Sequence, residues 1–368
     1  MIQRIKTIGL LVILVITVME IFLLKWTKRK WRLGLKNSIS NMSIGIGERF
    51  TDLFLSPYIY LLFQYLYNNY RVFTIPVNVW SLILLLIVTD FIWYWYHRST
   101  HRVNIFWAAH IVHHQCPDYN LSVAARITLI QSFIRTTFWI ALPVLGFSVN
   151  QIFGILLFHG VYSFFTHTQF GKKLHFLEGI FITPSLHGVH HASNEKYIDK
   201  NFGDIFVFWD KLFGTFVKEG ETPQYGLTKP FTSHSFLWQH FHYYVELFYA
   251  VKGKKGWINK VKIIFGPPEI INGRYRSILE RKWITPTKYE IPLGFKFYIL
   301  IQILSSFLIL LGATWYYHFI HWKLATFLFA MLFLSLINIG AIMEKKRYLI
   351  YIELSRLILF LLFSRFLF

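Results

Sequence analysis

The chain has 368 residues, 55% of them apolar and 20% aromatic, and its 15% of charged residues falls well below the roughly 25% usual in soluble proteins. This composition excludes an ordinary water-soluble fold and a disordered chain, and the single cysteine, Cys116, excludes an intrachain disulfide framework and a four-cysteine zinc site. The formal net charge of +20 does not point to nucleic acid, because the bases sit at the ends of apolar runs and not along one stripe with interleaved aromatics.

Residues 8–24 form the first apolar run, near the minimum of about 20 residues for a spanning helix. No small-residue cleavage site follows it, so it reads as a retained span and not a cleaved leader. Six bases come next, Lys25, Lys28, Arg29, Lys30, Arg32 and Lys36, the pattern that keeps a loop cytoplasmic and near anionic headgroups. Further spans are expected at 39–66, 77–97, 127–146, 148–168, 296–318, 322–343 and 348–368. The 39–66 run carries Glu48, Arg49 and Asp52, which must pair or face a protein interior. Pro143 and Gly146 mark a tight turn that makes 127–168 a membrane hairpin. Lys345, Lys346 and Arg347 lie between the last two runs. Counting loop charges from a cytoplasmic 25–36 puts His97 and all of 169–295 on the same side. That long stretch, punctuated by Pro and Gly, reads as a cytoplasmic helical cap with short or interfacial helices. The tryptophans and tyrosines read as interfacial belts. The expected architecture is all-α: a multi-pass transmembrane helical bundle of about seven or eight spans. Its N-terminal membrane helices occupy 1–96, a catalytic region occupies 97–295, and C-terminal membrane helices occupy 296–368. An endoplasmic reticulum membrane and a bacterial inner membrane both suit it.

Of 16 histidines, eight fall in three clusters. Residues 97–114 read HRSTHRVNIFWAAHIVHH, an HxxxH pair (His97, His101) followed by an HxxHH box (His110, His113, His114). Residues 187–191 read HGVHH, a second such box (His187, His190, His191). Positions three and four apart share a helix face, so each cluster can aim several imidazoles at one point. A catalytic zinc uses about three protein ligands, so this set favours a two-metal centre. Imidazole suits zinc, copper, iron and nickel alike, and a histidine-rich di-iron centre that activates dioxygen uses the set most naturally.

The runs DFIWYWYHRSTHRVNIFWAAHIVHHQCPDYNLS and TPSLHGVHHASNEKYIDKNFGDIFVFWDKLFGTF resemble the fatty acid hydroxylase and sterol desaturase superfamily of membrane di-iron enzymes. Within it the chain is most similar to the alkylglycerol monooxygenases, through YGLTKP, FGPP and NIGAIMEKKRYLIYIELSRL as well. The resemblance implies that 97–295 is the hydroxylase-type region, that the eight box histidines bind two ferrous ions, and that His167 is an additional ligand. It implies a membrane lipid substrate, dioxygen, and tetrahydrobiopterin or a separate protein as electron donor. Asp90 lies two helical turns before His97 and is expected to receive an imidazole N–H; Asp210, Asn120 and Asn201 are further candidates to support the ligands. For the two asparagines a turn or cap role is the competing reading.

Three positions depart from the alkylglycerol monooxygenase pattern: Arg102 stands where an acidic residue is common, Gln115–Cys116 replaces a doubled serine, and Leu186 stands where histidine is frequent. All proposed ligands remain, so the departures bear on the electron donor and the ether substrate. Acyl, carotenoid or sterol hydroxylation or desaturation is the nearest alternative activity. A metal transporter would place its site near the bilayer midplane, whereas these boxes begin where spans end. A zinc hydrolase would need a general base such as the Glu of HExxH, which is missing. Among the other histidines, His159 reads as an interhelical hydrogen-bonding residue, His175 as lacking a box partner, and His234, His240 and His242 as site-lining or interfacial. His318 and His321 lie at the far end of a span, and Cys116 reads as a packed thiol.

Overall fold

In lipid a backbone must satisfy its own N–H and C=O groups, so long apolar runs become helices. The computed structural model describes residues 2–26, 34–170, 174–283 and 290–364. In chain order the helices are α1 (Ile2–Trp26), α2 (Leu35–Tyr70), α3 (Val79–Arg102), α4 (Asn104–His114), α5 (Gln131–Trp139), α6 (Ala141–Leu145), α7 (Val149–Thr166) and α8 (Pro184–His190). After them come α9 (Phe208–Leu212), α10 (Phe236–Lys252), α11 (Trp257–Phe265), α12 (Arg274–Trp283), α13 (Leu293–Trp315), α14 (Trp322–Met343) and α15 (Leu349–Ser364). The described residues hold no strand, only isolated bridges at Phe181–Phe206 and Ala192–Tyr225, as the all-α expectation required.

Five of these helices are long and apolar enough to cross a membrane: Arg4–Leu24 within α1, and all of α3, α7, α13 and α14. The other three expected spans differ. Helix α2 is long, but Glu48, Arg49 and Asp52 dilute it; buried Glu48 pairs with Arg49 at 2.6 Å. Residues 127–146 form the two short helices α5 and α6 and not one span. Pro143 has no N–H for the Trp139 carbonyl and its ring crowds that oxygen, which accounts for the break at Ile140. At 1.5 Å each, residues 131–145 reach about 22 Å, short of the roughly 30 Å hydrocarbon core. Helix α6 stops at Gly146, whose φ of 104° suits glycine and where a Cβ would lie 2.0 Å from the Phe73 carbonyl oxygen. Helix α15 is described over 16 residues; residues 365–368 of that run, and the basic cluster at 28–32, lie outside the described residues.

The chain divides into two compact units. The first comprises Met1–Leu53, Thr232–His242 and Arg274–Phe368, where α14 packs against α13 and α15, and α13 against α1. Gly340 of α14 lets another backbone approach closely; a Cβ there would lie 2.7 Å from the His234 carbonyl oxygen. The second comprises Phe54–Phe231 and Tyr243–Gly273 and contains every histidine of the three clusters. In it α3 packs on α4, α5, α7 and α9, over a core that includes Phe63, Leu85, Trp139, Leu142, Phe147 and Ile152.

Helix α3 begins on a capping box, Asn78 accepting from the Ser81 N–H and Ser81 Oγ from the Asn78 N–H. It ends at Val103, whose extended backbone turns the chain directly into α4. Asn104 locks that turn: its side chain donates to the Ile263 and Pro267 carbonyls and accepts from the Tyr243 hydroxyl, while its N–H donates to the Gly266 carbonyl. The last turns of α3 therefore face α4, and the first two histidine clusters meet.

Candidate metal centre

Nine histidines of the second unit sort into two groups. His97, His101, His110, His114 and His190 form one, and His113, His167, His187 and His191 the other; within each, one ring nitrogen per residue lies within 4.8 Å of all its fellows. Helical periodicity explains the pairing within each group, and the convergence of the helices decides the rest. The i,i+4 pairs His97/His101 and His110/His114 serve the first group, and His187/His191 the second. His113 and His190 each precede a pair member by one residue, point about 100° away, and cross to the opposite group. His167, the residue after α7, completes the second.

In the four-histidine group the Nε2 of His167 lies 3.1 Å from that of His113, 3.1 Å from His191 and 3.0 Å from His187, and the last two are 3.2 Å apart. Two nitrogens about 2.1 Å from one ion at a right angle lie about 3.0 Å apart, so this spacing fits a shared metal. In the five-histidine group the buried Nε2 atoms of His97, His101 and His190 have no hydrogen-bond partner, which a metal ion would supply. The groups adjoin: the rings of His114 and His191 stack with centroids 4.4 Å apart.

Burial, reinforced by neighbouring imidazoles, pushes His110, His113, His114, His187, His190 and His191 well below the ordinary imidazole range. Burial also holds His167 down to about 4. These rings are neutral at physiological pH, the form in which imidazole binds metal.

The far nitrogens are tethered. His97 Nδ1–H donates to the Phe202 carbonyl (3.0 Å), His190 Nδ1–H to the Lys200 carbonyl (2.9 Å) and His167 Nδ1–H to the Ser163 carbonyl (2.6 Å). Each tether fixes the tautomer that leaves Nε2 for a metal. The 199–204 loop thus backs the five-histidine group, with Asp199 and Asn201 in the left-handed region at φ 57° and 54°. The Asn201 side chain offsets its strain by donating to the Leu186 and Val217 carbonyls and accepting from the Val217 N–H. Asp210, fully buried, accepts from the Phe202 and Gly203 N–H groups and the Thr215 hydroxyl; burial still pushes its carboxyl up. Gly203 is obligatory there, since a Cβ would lie 2.6 Å from the Phe206 carbonyl oxygen.

Asp90 departs from expectation, for it takes no ligand imidazole. It accepts from the Ile205 N–H, the Phe206 N–H and the Trp209 indole, and so pins the loop behind the ligands to α3. Asn120 plays the cap role, accepting from Ser122 at the start of the 3-10 turn Leu121–Ala125. His159 bonds Asp204 at 2.5 Å, on the loop and not on another helix, and Ser163 donates to the same carboxylate. With Asp90 these two make a third metal-like group, but its carboxylate oxygens already have protein donors, so it reads as a clamp. His175 pairs with Glu178, His321 caps α14, and His234, His240 and His242 belong to the first unit. Cys116 is buried.

Residues 82–215, the segment carrying all nine histidines, match the fatty acid hydroxylase family. Human alkylglycerol monooxygenase is 32% identical over 340 residues, covering 90% of this chain and 76% of that protein, and the Xenopus tropicalis enzyme is 31% identical over 94% of this chain and 78% of its own. This chain belongs to the alkylglycerol monooxygenase family. An ornithine lipid hydroxylase of Rhizobium tropici is 30% identical over 145 residues, 37% of this chain. No solved structure matches. Membership in the alkylglycerol monooxygenase family bears out the expected class, a membrane-embedded oxygenase.

Two of the departures from the alkylglycerol monooxygenase pattern find partners. Arg102 pairs with Asp199, whose other oxygen lies 3.7 Å from His101 Nδ1, and also approaches Glu269 at 3.8 Å. Gln115 accepts from Arg126, a buried arginine that also donates to the Val112 carbonyl at the end of α4. Asp199, Asp204 and Arg126 were not singled out from sequence. The one available signal was a charge set among apolar neighbours, as in FGDIF and AARIT.

Proposed function

We propose that this chain is an integral-membrane di-iron monooxygenase that cleaves the ether bond of alkylglycerols, with a tetrahydropterin as reductant. The observation that carries this reading is the sorting of nine imidazoles into adjoining groups of five and four, in a chain related to alkylglycerol monooxygenases. These two groups would hold ferrous ions, which would supply dioxygen activation for insertion of one oxygen atom into a C–H bond. The second oxygen leaves as water, with two electrons and two protons from the reductant. Hydroxylation beside the ether oxygen gives a hemiacetal, which collapses to fatty aldehyde and glycerol. The protein's part is to hold the imidazoles neutral and oriented, and to keep bulk water from the site by burial. His97 and His101 lie in the last turns of span α3, which suits a substrate whose tail stays in lipid while its head stays in water. The basic flanks of the apolar runs support a site facing the cytoplasm.

The test is product analysis on membranes carrying the wild-type chain or His113→Ala, given a labelled alkylglycerol, ferrous iron and dioxygen, with and without tetrahydropterin. Labelled aldehyde or acid is expected from wild type with pterin alone, together with about two irons per chain. Zinc in place of iron would overturn the oxygenase chemistry. Iron without ether cleavage, but with hydroxylated acyl or sterol lipid, would move the substrate to the nearest alternative.

A further inference from the structure

Helix α11 presents an apolar face that none of the described residues of the second unit covers. Trp257, Ile258, Val261 and Phe265 are 74%, 55%, 39% and 59% exposed. At 100° per residue they fall within an arc of about 100°, while Ile263, almost diametrically opposite, is buried. Lys260 and Lys262 lie on the two flanks of that arc, and Lys252, Lys254 and Lys255 precede the helix, all exposed. No acidic residue occurs between Glu246 and Glu269. The height of the helix along the membrane normal also follows from bonds on the page. The Ile263 and Gly266 carbonyls at its C-terminal end accept from Asn104, two residues past the end of span α3 at Arg102. A helix tied there lies where a membrane span leaves the bilayer.

We infer that α11 lies in the headgroup layer as an interfacial helix, and that Lys252, Lys254, Lys255, Lys260 and Lys262 bind anionic phospholipid headgroups. An apolar arc flanked by lysines suits that position, since the long stems cover apolar surface while the ammonium groups reach lipid phosphates. The occupant is lipid and not a partner protein because the chain's own spans oblige a bilayer to begin at this level, and the uncompensated lysines complement anionic lipid. Asn104 joins α11 to α4, which carries His110, His113 and His114, so headgroup binding anchors the helix that presents three of the nine histidines.

The experiment places single spin labels on the full-length chain in phosphatidylcholine vesicles, with and without phosphatidylglycerol. Cysteine is introduced as Ile258→Cys, Val261→Cys or Asn259→Cys; the native thiol, Cys116, is buried. Labels at 258 and 261 are expected to collide with oxygen in preference to a water-soluble nickel chelate, and the label at 259 to do the reverse. Phosphatidylglycerol is expected to deepen the first two labels. Combined Lys254→Gln, Lys255→Gln, Lys260→Gln and Lys262→Gln substitution is expected to abolish that shift while leaving circular dichroism unchanged. Nickel access at 258 equal to that at 259 would overturn the interfacial placement. Shielding from both reagents would mean protein covers the face, and a depth indifferent to phosphatidylglycerol would overturn the anionic headgroup.

Discussion

Each clustered imidazole has two nitrogens, and the protein decides which one is left free to bind a metal. His97, His190 and His167 commit Nδ1 to backbone carbonyls, whereas His101 faces the Asp199 carboxylate, itself paired with Arg102. Burial pushes the Asp199 carboxyl up, but His101 and Arg102 outweigh it and the net direction is down, so it is ionised. Asp199→Asn keeps the shape and removes the charge that holds His101. Loss of such a partner costs about 10- to 100-fold in metal affinity, and an iron titration reads it directly. Acid should act on the ligands themselves. For His167 the ordinary value of 6.5 falls to about 4, so between those values the unfolded chain binds more protons than the folded one. Its contribution is complete above about 6.5 and is lost as pH falls towards 4. Iron retention followed by dialysis across that window is expected to drop with falling pH. Asp90 shows where single-residue reading stops. Spacing on α3 placed it near the ligand face, but only the folded chain shows that the Ile205, Phe206 and Trp209 N–H groups reach it first.

At the scale of the element, the i,i+4 pairing within each cluster was legible because such neighbours share a helix face whatever the helix packs against. The exchange of His113 and His190 between groups was not, because it depends on how α4, α7 and α8 converge. The break at Ile140 was half legible: Pro143 was visible, but its effect of ending a span, and not merely turning it, follows from the 15 or so residues left on its helical run. The α3–α4 corner rests on Asn104, whose side chain makes three hydrogen bonds in a fully buried setting. Asn104→Ala removes the side-chain donor to the Ile263 and Pro267 carbonyls, at a cost of about 1–3 kcal/mol for each group stranded. The expected outcome is a lower denaturation midpoint and weaker iron binding, with the family's span helices still formed by circular dichroism.

For the whole molecule, composition alone made the all-α membrane class legible, since low charge and long apolar runs leave few alternatives. The grouping of helices into two units was not, because contacts far apart in sequence decide it: Thr232–His242 belongs with the first and last helices, while Tyr243–Gly273 belongs with the clustered histidines. Concentrating nine histidines in one unit has a thermodynamic consequence. Without metal, nitrogens such as His97, His101 and His190 Nε2 are buried unpaired, and each costs the desolvation of a polar group. A metal that binds only where the fold brings five and four imidazoles together would add its binding energy to folding. At a hundredfold excess over Kd each site adds about 2.7 kcal/mol. In a unit of about 200 residues this raises the melting temperature by about 5–10 °C per site. Magnesium, which prefers oxygen ligands, is expected to leave it unmoved. His113→Ala should shrink the iron-dependent rise by weakening the four-histidine site while the five-histidine site still responds. A thermal scan of the purified chain with iron, magnesium and chelator checks all three, and a melting temperature indifferent to iron would be incompatible with two metal sites built from these histidines.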